Sequence, residues 1–533
     1  MIFSAQGRTS LPRFAFALGA IAVCAVLFLP VLYLGVRAGE ATAASWDLIL
    51  RPETLRLSAR SLGLAAVVTL ASVSVGLSAA WLVTRTDIPG RRIWSVLFAI
   101  PLVFPSYVAA LAFISLLGPR GVLQETLEPL GVERLPDISG FFGSALVLTC
   151  VCFPYVYLVT AAGLRGLDPE MEEAARSLGK TRWETFRSVT LPLLRPSIAA
   201  GGLLVALYTL HDFGAVSLMR FQTFTQAIYL QYRGAFDRAP AAILSIILVA
   251  IALVIVAAEQ RARGRASYFR TGTGTARPSP RVRLRSWKLP SLFFSSAVSL
   301  VAIGVPAAML AYWAFSGTAA TEDLDRLPAA ALGSLSVSVA GALLALIAAL
   351  PVAWFTGRAS GRLSRNVARI TYAGYALPGI VVALALVFFT ANFVPGIYQS
   401  LPLVATAYVI LFFPQVSEPL RAALLQMNPN AEHAARTLGA GQWRAFSRIT
   451  LPRLASPALA GTALVFLTAM KELPATLLLR PTGFETLATR VWTASAAGLF
   501  SKAAIPALVL VVLSGAAVWA VSGRAPIEGV RPD

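Results

Sequence analysis

Long apolar runs alternate with short polar stretches along the whole chain. A helix of about 20 apolar residues crosses a hydrocarbon layer about 30 Å thick. The runs are continuous rather than alternating, and a bilayer admits only helices or closed barrels, so helices are expected. They fall near 14–36, 59–84, 93–117, 141–164, 196–219 and 240–258, and again near 291–315, 331–356, 366–390, 401–424, 456–476 and 503–522. Between the two sets, 259–290 is basic and rich in Arg, Gly, Ser, Thr and Pro, as interdomain linkers are. The pattern predicts an all-α polytopic membrane protein with about 12 transmembrane helices in two parallel six-helix repeats. Its parts are a first half at 1–258, a linker at 259–290 and a second half at 291–533. A cleaved leader over 14–36, cut near Ala41-Thr42-Ala43, is the alternative for the first run. That run exceeds the 7–15 apolar residues of a leader core, so it is expected as an uncleaved span.

The halves match residue by residue. Ser61, Trp81, Arg85 and Pro105 recur as Ser334, Trp354, Arg358 and Pro378 at an offset of 273. From the fourth span onward the offset is 260, so the first half carries 13 extra residues in its 118–140 loop. The most exact repeat is polar. Asp168-Pro169-Glu170-Met171-Glu172-Glu173-Ala174-Ala175-Arg176-Ser177-Leu178-Gly179 returns as Asn428-Pro429-Asn430-Ala431-Glu432-His433-Ala434-Ala435-Arg436-Thr437-Leu438-Gly439. Trp183/Trp443, Phe186/Phe446, Thr190/Thr450 and the Leu-Pro pairs at 191 and 451 stay in register. Asp168 and Asn428 suit an N-cap, and the prolines suit the first helical position. Gly179 and Gly439 suit the left-handed residue that closes a helix. Thr181 with Glu184 forms a capping box that restarts a helix at once, a box that Gly441-Gln442-Trp443-Arg444 lacks.

Only 13% of residues are charged, yet the formal net charge is +20. Nucleic acid is one partner such a charge suggests. The basic residues instead sort by side. With the N-terminus inside, 31 of the 45 Lys and Arg fall on inner segments, which places both termini and both polar repeats in the cytoplasm. No nucleic-acid partner is expected, and the 259–290 tract is expected to meet membrane lipid at most. Cys24, Cys150 and Cys152 lie in apolar runs without metal-site spacing. The repeats hold no nucleophile, metal constellation or phosphate cradle, and no Walker-type glycine loop occurs, so the chain is not expected to hydrolyse ATP. A second matched pair follows the fifth and eleventh spans, where His211-Asp212-Phe213-Gly214-Ala215 aligns with Lys471-Glu472-Leu473-Pro474-Ala475. From Leu191-Pro192 to Asp212 is one bilayer crossing of helix, so Asp212 and Glu472 are expected near the outer face. Ionisable residues at that depth line a gate or path, or anchor a helix end.

Glu-x-Ala-Ala-Arg-x-Leu-Gly followed by Leu-Pro resembles the EAA loop of permease subunits of bacterial ABC importers of type I. The whole chain resembles the fused permeases of the ferric-iron importer group, which has thiamine and phosphonate relatives. The stretches after Asp212 and Glu472 look most like the iron branch. The resemblance implies two coupling helices, with Glu172, Ala174, Ala175, Arg176, Leu178 and Gly179 in one and Glu432, Ala434, Ala435, Arg436, Leu438 and Gly439 in the other. Each would seat in a cleft of one of two separate ATP-binding subunits, which carry the ATP and Mg. A periplasmic solute-binding protein would dock outside, and the chain would lie in the bacterial inner membrane. His211, Asp212, Lys471 and Glu472 are candidates for the gate or substrate path, with no metal site and no cofactor held by this chain. Thiamine, phosphonate or another small solute remains open as cargo. A twelve-span secondary transporter shares the topology but would need ionisable residues deep in several spans. A membrane enzyme would need clustered His, Asp or Cys, and the two histidines lie on opposite predicted sides.

Overall fold

The computed structural model describes residues 11–40, 46–234, 239–263, 281–316 and 325–522, except single or paired positions at 120, 133, 360, 375–376 and 429. Pro429, most of the linker (264–280) and both chain ends therefore lie outside the described residues. Among the described residues the regular structure is helical, apart from one isolated bridge between Thr86 and Val282. The first helices are α1 (Leu11–Glu40), α2 (Pro52–Arg85), α3 (Arg91–Leu97), α4 (Ser106–Leu117), α5 (Phe141–Gly166), α6 (Pro169–Ser177), α7 (Leu191–His211), α8 (Gly214–Leu218), α9 (Phe224–Gly234) and α10 (Ala239–Arg263). After the linker come α11 (Lys288–Ser299), α12 (Val305–Phe315), α13 (Leu327–Arg358), α14 (Arg362–Ala373), α15 (Gly379–Phe393), α16 (Leu401–Gln426), α17 (Asn430–Thr437), α18 (Leu451–Met470), α19 (Pro474–Leu479), α20 (Leu487–Ala496) and α21 (Phe500–Ser522).

Among the described residues, 11 helical segments are long and apolar enough to cross a membrane, and Gly379–Phe393 is a shorter apolar helix in the place of the twelfth. The spans expected at 93–117 and 366–390 are not continuous. Each breaks before a proline. Pro105 and Pro378 have extended backbone (ψ 145° and 146°) and stand directly before α4 and α15. A proline ring has no N–H to give and disfavours helix in the residue before it, so the chain stops and restarts there. The span expected at 196–219 ends instead at His211, and its helical path begins at Arg182. The extra loop of the first half is pinned by Gln124, whose amide donates to the Val132 carbonyl (2.8 Å) and accepts from the Leu135 N–H (2.6 Å).

The chain forms two compact units. One comprises 1–41, 321–490 and 512–533, and the other 42–320 and 491–511. The repeat in the sequence and the unit in space divide the chain differently, because the first span of each half joins the core of the other. In the first unit α1 lies on α13, α14 and α15, with Phe16 stacked on Trp354 (4.6 Å). In the second, Ala302 belongs to the core built around Phe113, Phe153 and Val156, and the Trp313 indole donates to Ser115 on α4. The linker's last residues are clipped to the end of α2. The Val282 N–H donates to the Arg85 carbonyl (2.8 Å), the Asp87 N–H to the Val282 carbonyl (3.2 Å), and the Leu284 N–H to the Asp87 carboxylate (2.8 Å).

Candidate functional site

Each polar repeat folds as a short helix, a left-handed turn and a restart. In the first, Asp168 caps α6 by accepting from the Glu170 N–H (3.1 Å). Gly179 has φ +88°, and its helix end closes with Gly179 N–H to Arg176 (3.0 Å) and Lys180 N–H to Ala175 (3.2 Å). That pair of bonds is the Schellman closure, which needs a residue free of Cβ strain. The Thr181–Glu184 box forms, with the Thr181 N–H donating to Glu184 (2.8 Å) and Glu184's own N–H to the Thr181 hydroxyl (3.3 Å). One turn at Arg182–Thr185 and a π-turn at Phe186–Thr190 then run straight into α7. In the second copy Asn428 accepts from Asn430 (3.0 Å), Gly439 has φ +85°, and the restart at Gln442–Ala445 and π-turn at Phe446–Thr450 form without a capping box.

Glu172 ties the first knuckle to its own core. Its carboxylate accepts from Arg85 at the end of α2 (3.3 Å) and from Thr190 at the start of α7 (2.8 Å), and Arg85 also donates to the Leu164 carbonyl of α5 (3.2 Å). Glu172 thus joins α2 to α7, and its Arg85 partner adds α5. Glu432 repeats the arrangement with Arg358 (3.5 Å) and Thr450, and Arg358 donates to the Met427 carbonyl (3.3 Å). Ala175 is buried, whereas Ala174, Arg176 and Ala434 are exposed and Ala435 is half-buried. Leu178 and Leu438 stand at the tips, 82% and 88% exposed. The side chains of His433 and Arg436 are outside the described residues. The sequence repeat marked Arg85/Arg358 and Thr190/Thr450 as matches without a role. The structure gives them one, as anchors of the knuckle's glutamate.

The second matched pair lies at the broken spans, with Asp212 buried and Glu472 half-buried. The Asp212 carboxylate accepts from the Ser106 hydroxyl, the first residue of α4. It also accepts from the Ala215 (2.9 Å) and Val216 (3.2 Å) N–H groups, capping α8. Glu472 takes the same place in the other unit, accepting from the Ala475 N–H (3.2 Å) at the start of α19. The position matching Ser106 is Gly379. A Cβ there would lie 2.6 Å from the Glu472 Oε1, so the longer acid goes with the smaller residue. His211 Nε2 is buried with no hydrogen-bond partner among the described residues, and Lys471 is half-buried. The pairs His211/Asp212 and Lys471/Glu472 belong to different units. Sequence matching also flagged Ser61/Ser334 without a role. Each accepts the first N–H of a helix, from Phe224 (3.2 Å) and Leu487 (2.7 Å) respectively.

Comparison with known proteins places this architecture. The family described as binding-protein-dependent transport system inner membrane component matches twice, at 72–263 and 341–522. The chain belongs to this family. Each match contains one knuckle, one Arg–Glu–Thr anchor and one acid at a broken span, so the repeated site is the family domain present twice. The chain is 35% identical over 512 residues to the Fe(3+)-transport system permease protein FbpB 2 of Haemophilus influenzae, covering 95% of this chain and 98% of that one. It is 31% identical over 258 residues to the sulfate transport system permease protein CysT of Escherichia coli, covering 47% of this chain and 92% of that one. The molybdenum transport system permease protein ModB of Escherichia coli is 30% identical over 202 residues, 36% of this chain and 85% of that one. The shorter relatives thus correspond to one half of this permease, and the iron relative to the whole.

Proposed function

We propose that this permease moves ferric iron across the inner membrane, receiving it from a periplasmic binding protein and driven by two ATP-binding subunits. The full-length similarity to a permease named for Fe(3+) transport carries the choice of cargo. The anchored knuckles support the coupling. Leu178 and Leu438 offer an apolar tip for a groove on each ATP-binding subunit, and residues 172–179 and 432–439 form the contact. Glu172 and Glu432 make each tip rigid with the spans behind it, so a displacement imposed at the tip moves α2, α5 and α7, or α13, α16 and α18, together. Hydrolysis belongs to the partner chains, and both knuckles and both termini lie on the cytoplasmic side. The acids Asp212 and Glu472, with His211 and Lys471 beside them, hold the broken helices α4 and α15 at the path. Thiamine, phosphonate and other small solutes remain the competing cargoes.

The test is uptake into proteoliposomes containing the permease, both ATP-binding subunits and the binding protein. Radioactive ferric iron should accumulate only with internal ATP and external loaded binding protein. Uptake by the chain alone along an ion gradient would contradict the reading. ATP-driven uptake of thiamine but not iron would correct the cargo and leave the coupling intact.

A further inference from the structure

The two units carry the same aromatic box at the root of the knuckle, filled in one and open in the other. In the unit built on the second half, Phe16 of α1 sits among Trp354, Trp443 and Phe446, at 4.6, 5.6 and 5.5 Å. The matching residues of the other unit are Trp81, Trp183 and Phe186. Phe186 packs on Trp81 (4.8 Å) and Trp183 (5.6 Å). Leu289-Pro290 of α11 matches Leu11-Pro12 of α1, which makes Phe294 the counterpart of Phe16. Phe294 reaches only the wall of a cavity of about 900 Å³. Among the described residues no ring of α11 stacks on Trp81 or Trp183.

The cavity has two kinds of wall. Trp81 and Leu82 of α2, Phe186 and Phe294 make an apolar slot. Arg176, Arg182 and Arg281 also line it, and none of their guanidinium groups makes an ion pair or hydrogen bond with a described residue. Glu172, also at the wall, is already engaged by Arg85 and Thr190, which leaves Glu173 as the acid opposing three arginines. The volume lies within the range of small-molecule sites. A basic pocket between spans, with an apolar floor, is the arrangement that takes the headgroup and tail of an acidic lipid. A free phosphate would satisfy the arginines and leave the slot uncovered.

We propose that this cavity binds one anionic phospholipid, its phosphate among Arg176, Arg182 and Arg281 and one acyl chain along Trp81 and Phe186, in the place that Phe16 takes in the other unit. The lipid wedges the first knuckle against α2 and α11. The two knuckles are therefore inequivalent: the second is buttressed by the chain itself and the first by the bilayer's composition. The inference shares with the function above only the identity of the knuckle, and is independent of cargo.

Native mass spectrometry of the purified full chain, offered phosphatidylglycerol and phosphatidylcholine in equal amounts, tests it. Retention of phosphatidylglycerol should exceed that of phosphatidylcholine by at least about fivefold. Arg182→Glu with Arg281→Glu should remove the preference. Ser78→Trp, which adds a ring at the cavity wall and leaves the arginines, should remove retention. A photoactivatable phosphatidylglycerol should label the 78–82 and 183–186 segments of the unmodified chain, a readout that does not depend on how the variants fold. Equal retention of the two lipids, or labelling spread over other spans, would overturn the proposal. So would a Ser78→Trp variant that retains the lipid, displacement by millimolar inorganic phosphate, or displacement by the ATP-binding subunits, which would make the cavity a protein seat. Transport of iron is not read in any of these arms, so their failure leaves the proposed function standing.

Discussion

At the residue scale the two carboxylates at 172 and 432 carry the most. The Arg85 side chain is 3% exposed, so taking Glu172 away strands a buried guanidinium beside a single carbonyl. A hydrogen bond to a charged group contributes about 1.5–3 kcal/mol. Glu172→Gln with Glu432→Gln is expected to leave insertion intact and to lower ATP-driven uptake by at least about tenfold, with ATPase activity no longer following the loaded binding protein. The acids at the broken spans give a sharper test. Gly379→Ser forces a Cβ against Glu472 and should lower both melting temperature and uptake. Gly379→Ser with Glu472→Asp rebuilds the Ser106–Asp212 pair of the other half and should recover most of the loss. Absence of recovery would show that the two sites are not interchangeable solutions of one packing problem. Asp87 supplies a pH effect. The Leu284 N–H, helped by Lys288 (3.7 Å), holds its carboxyl below the ordinary 3.8. The clip's stabilisation is therefore full above the ordinary value and is lost as pH falls through the lower folded value. Protection of the Leu284 amide, compared with an Asp87→Ala chain at each pH, should be present at about pH 6 and vanish well below about pH 4.

At the element scale the knuckles were legible in the sequence and the broken spans were not. Caps and closures are local: Asp168, Asn428, Gly179 and Gly439 each act on backbone within three residues, so composition and spacing suffice to read them. The missing capping box at 441–444 misleads in the other direction, because the second restart forms anyway, carried by the helix that follows. Pro105 and Pro378 look like ordinary kinks along an apolar run. The prolines stop the helix, and the acid about 100 residues away that accepts from Ser106 in one half, and would crowd a side chain at Gly379 in the other, lies outside any local window. Gly179→Asp with Gly439→Asp is expected to abolish transport while the chain still inserts, since the left-handed turn disfavours a side chain by about 1 kcal/mol at each site and the docking tip is displaced. Normal uptake by that double variant would contradict a coupling role.

At the scale of the whole molecule the repeat was readable from two offsets, 273 and 260, and the exchange of first spans was not. Apolar helix surfaces carry little sequence information about which neighbour they meet, and the hydropathy of 14–36 fits either core equally well. Phe16 reports the exchange. Phe16→Ala removes a ring from the Trp354–Trp443–Phe446 box and should increase proteolysis of 321–490 while leaving 42–234 unchanged, although residue 16 precedes the first half in sequence. Destabilisation of 42–234 instead would return α1 to its own half. The central claim concerns the sidedness and the docking of the knuckles, and it can be read directly. Leu178→Cys and Leu438→Cys place an exposed thiol at each tip, while the native Cys24, Cys150 and Cys152 are buried. A membrane-impermeant maleimide should label both tips in inverted vesicles, not in intact spheroplasts, and should fail to label them once the ATP-binding subunits are bound. Labelling from outside, or labelling undiminished by the assembled subunits, would contradict the account.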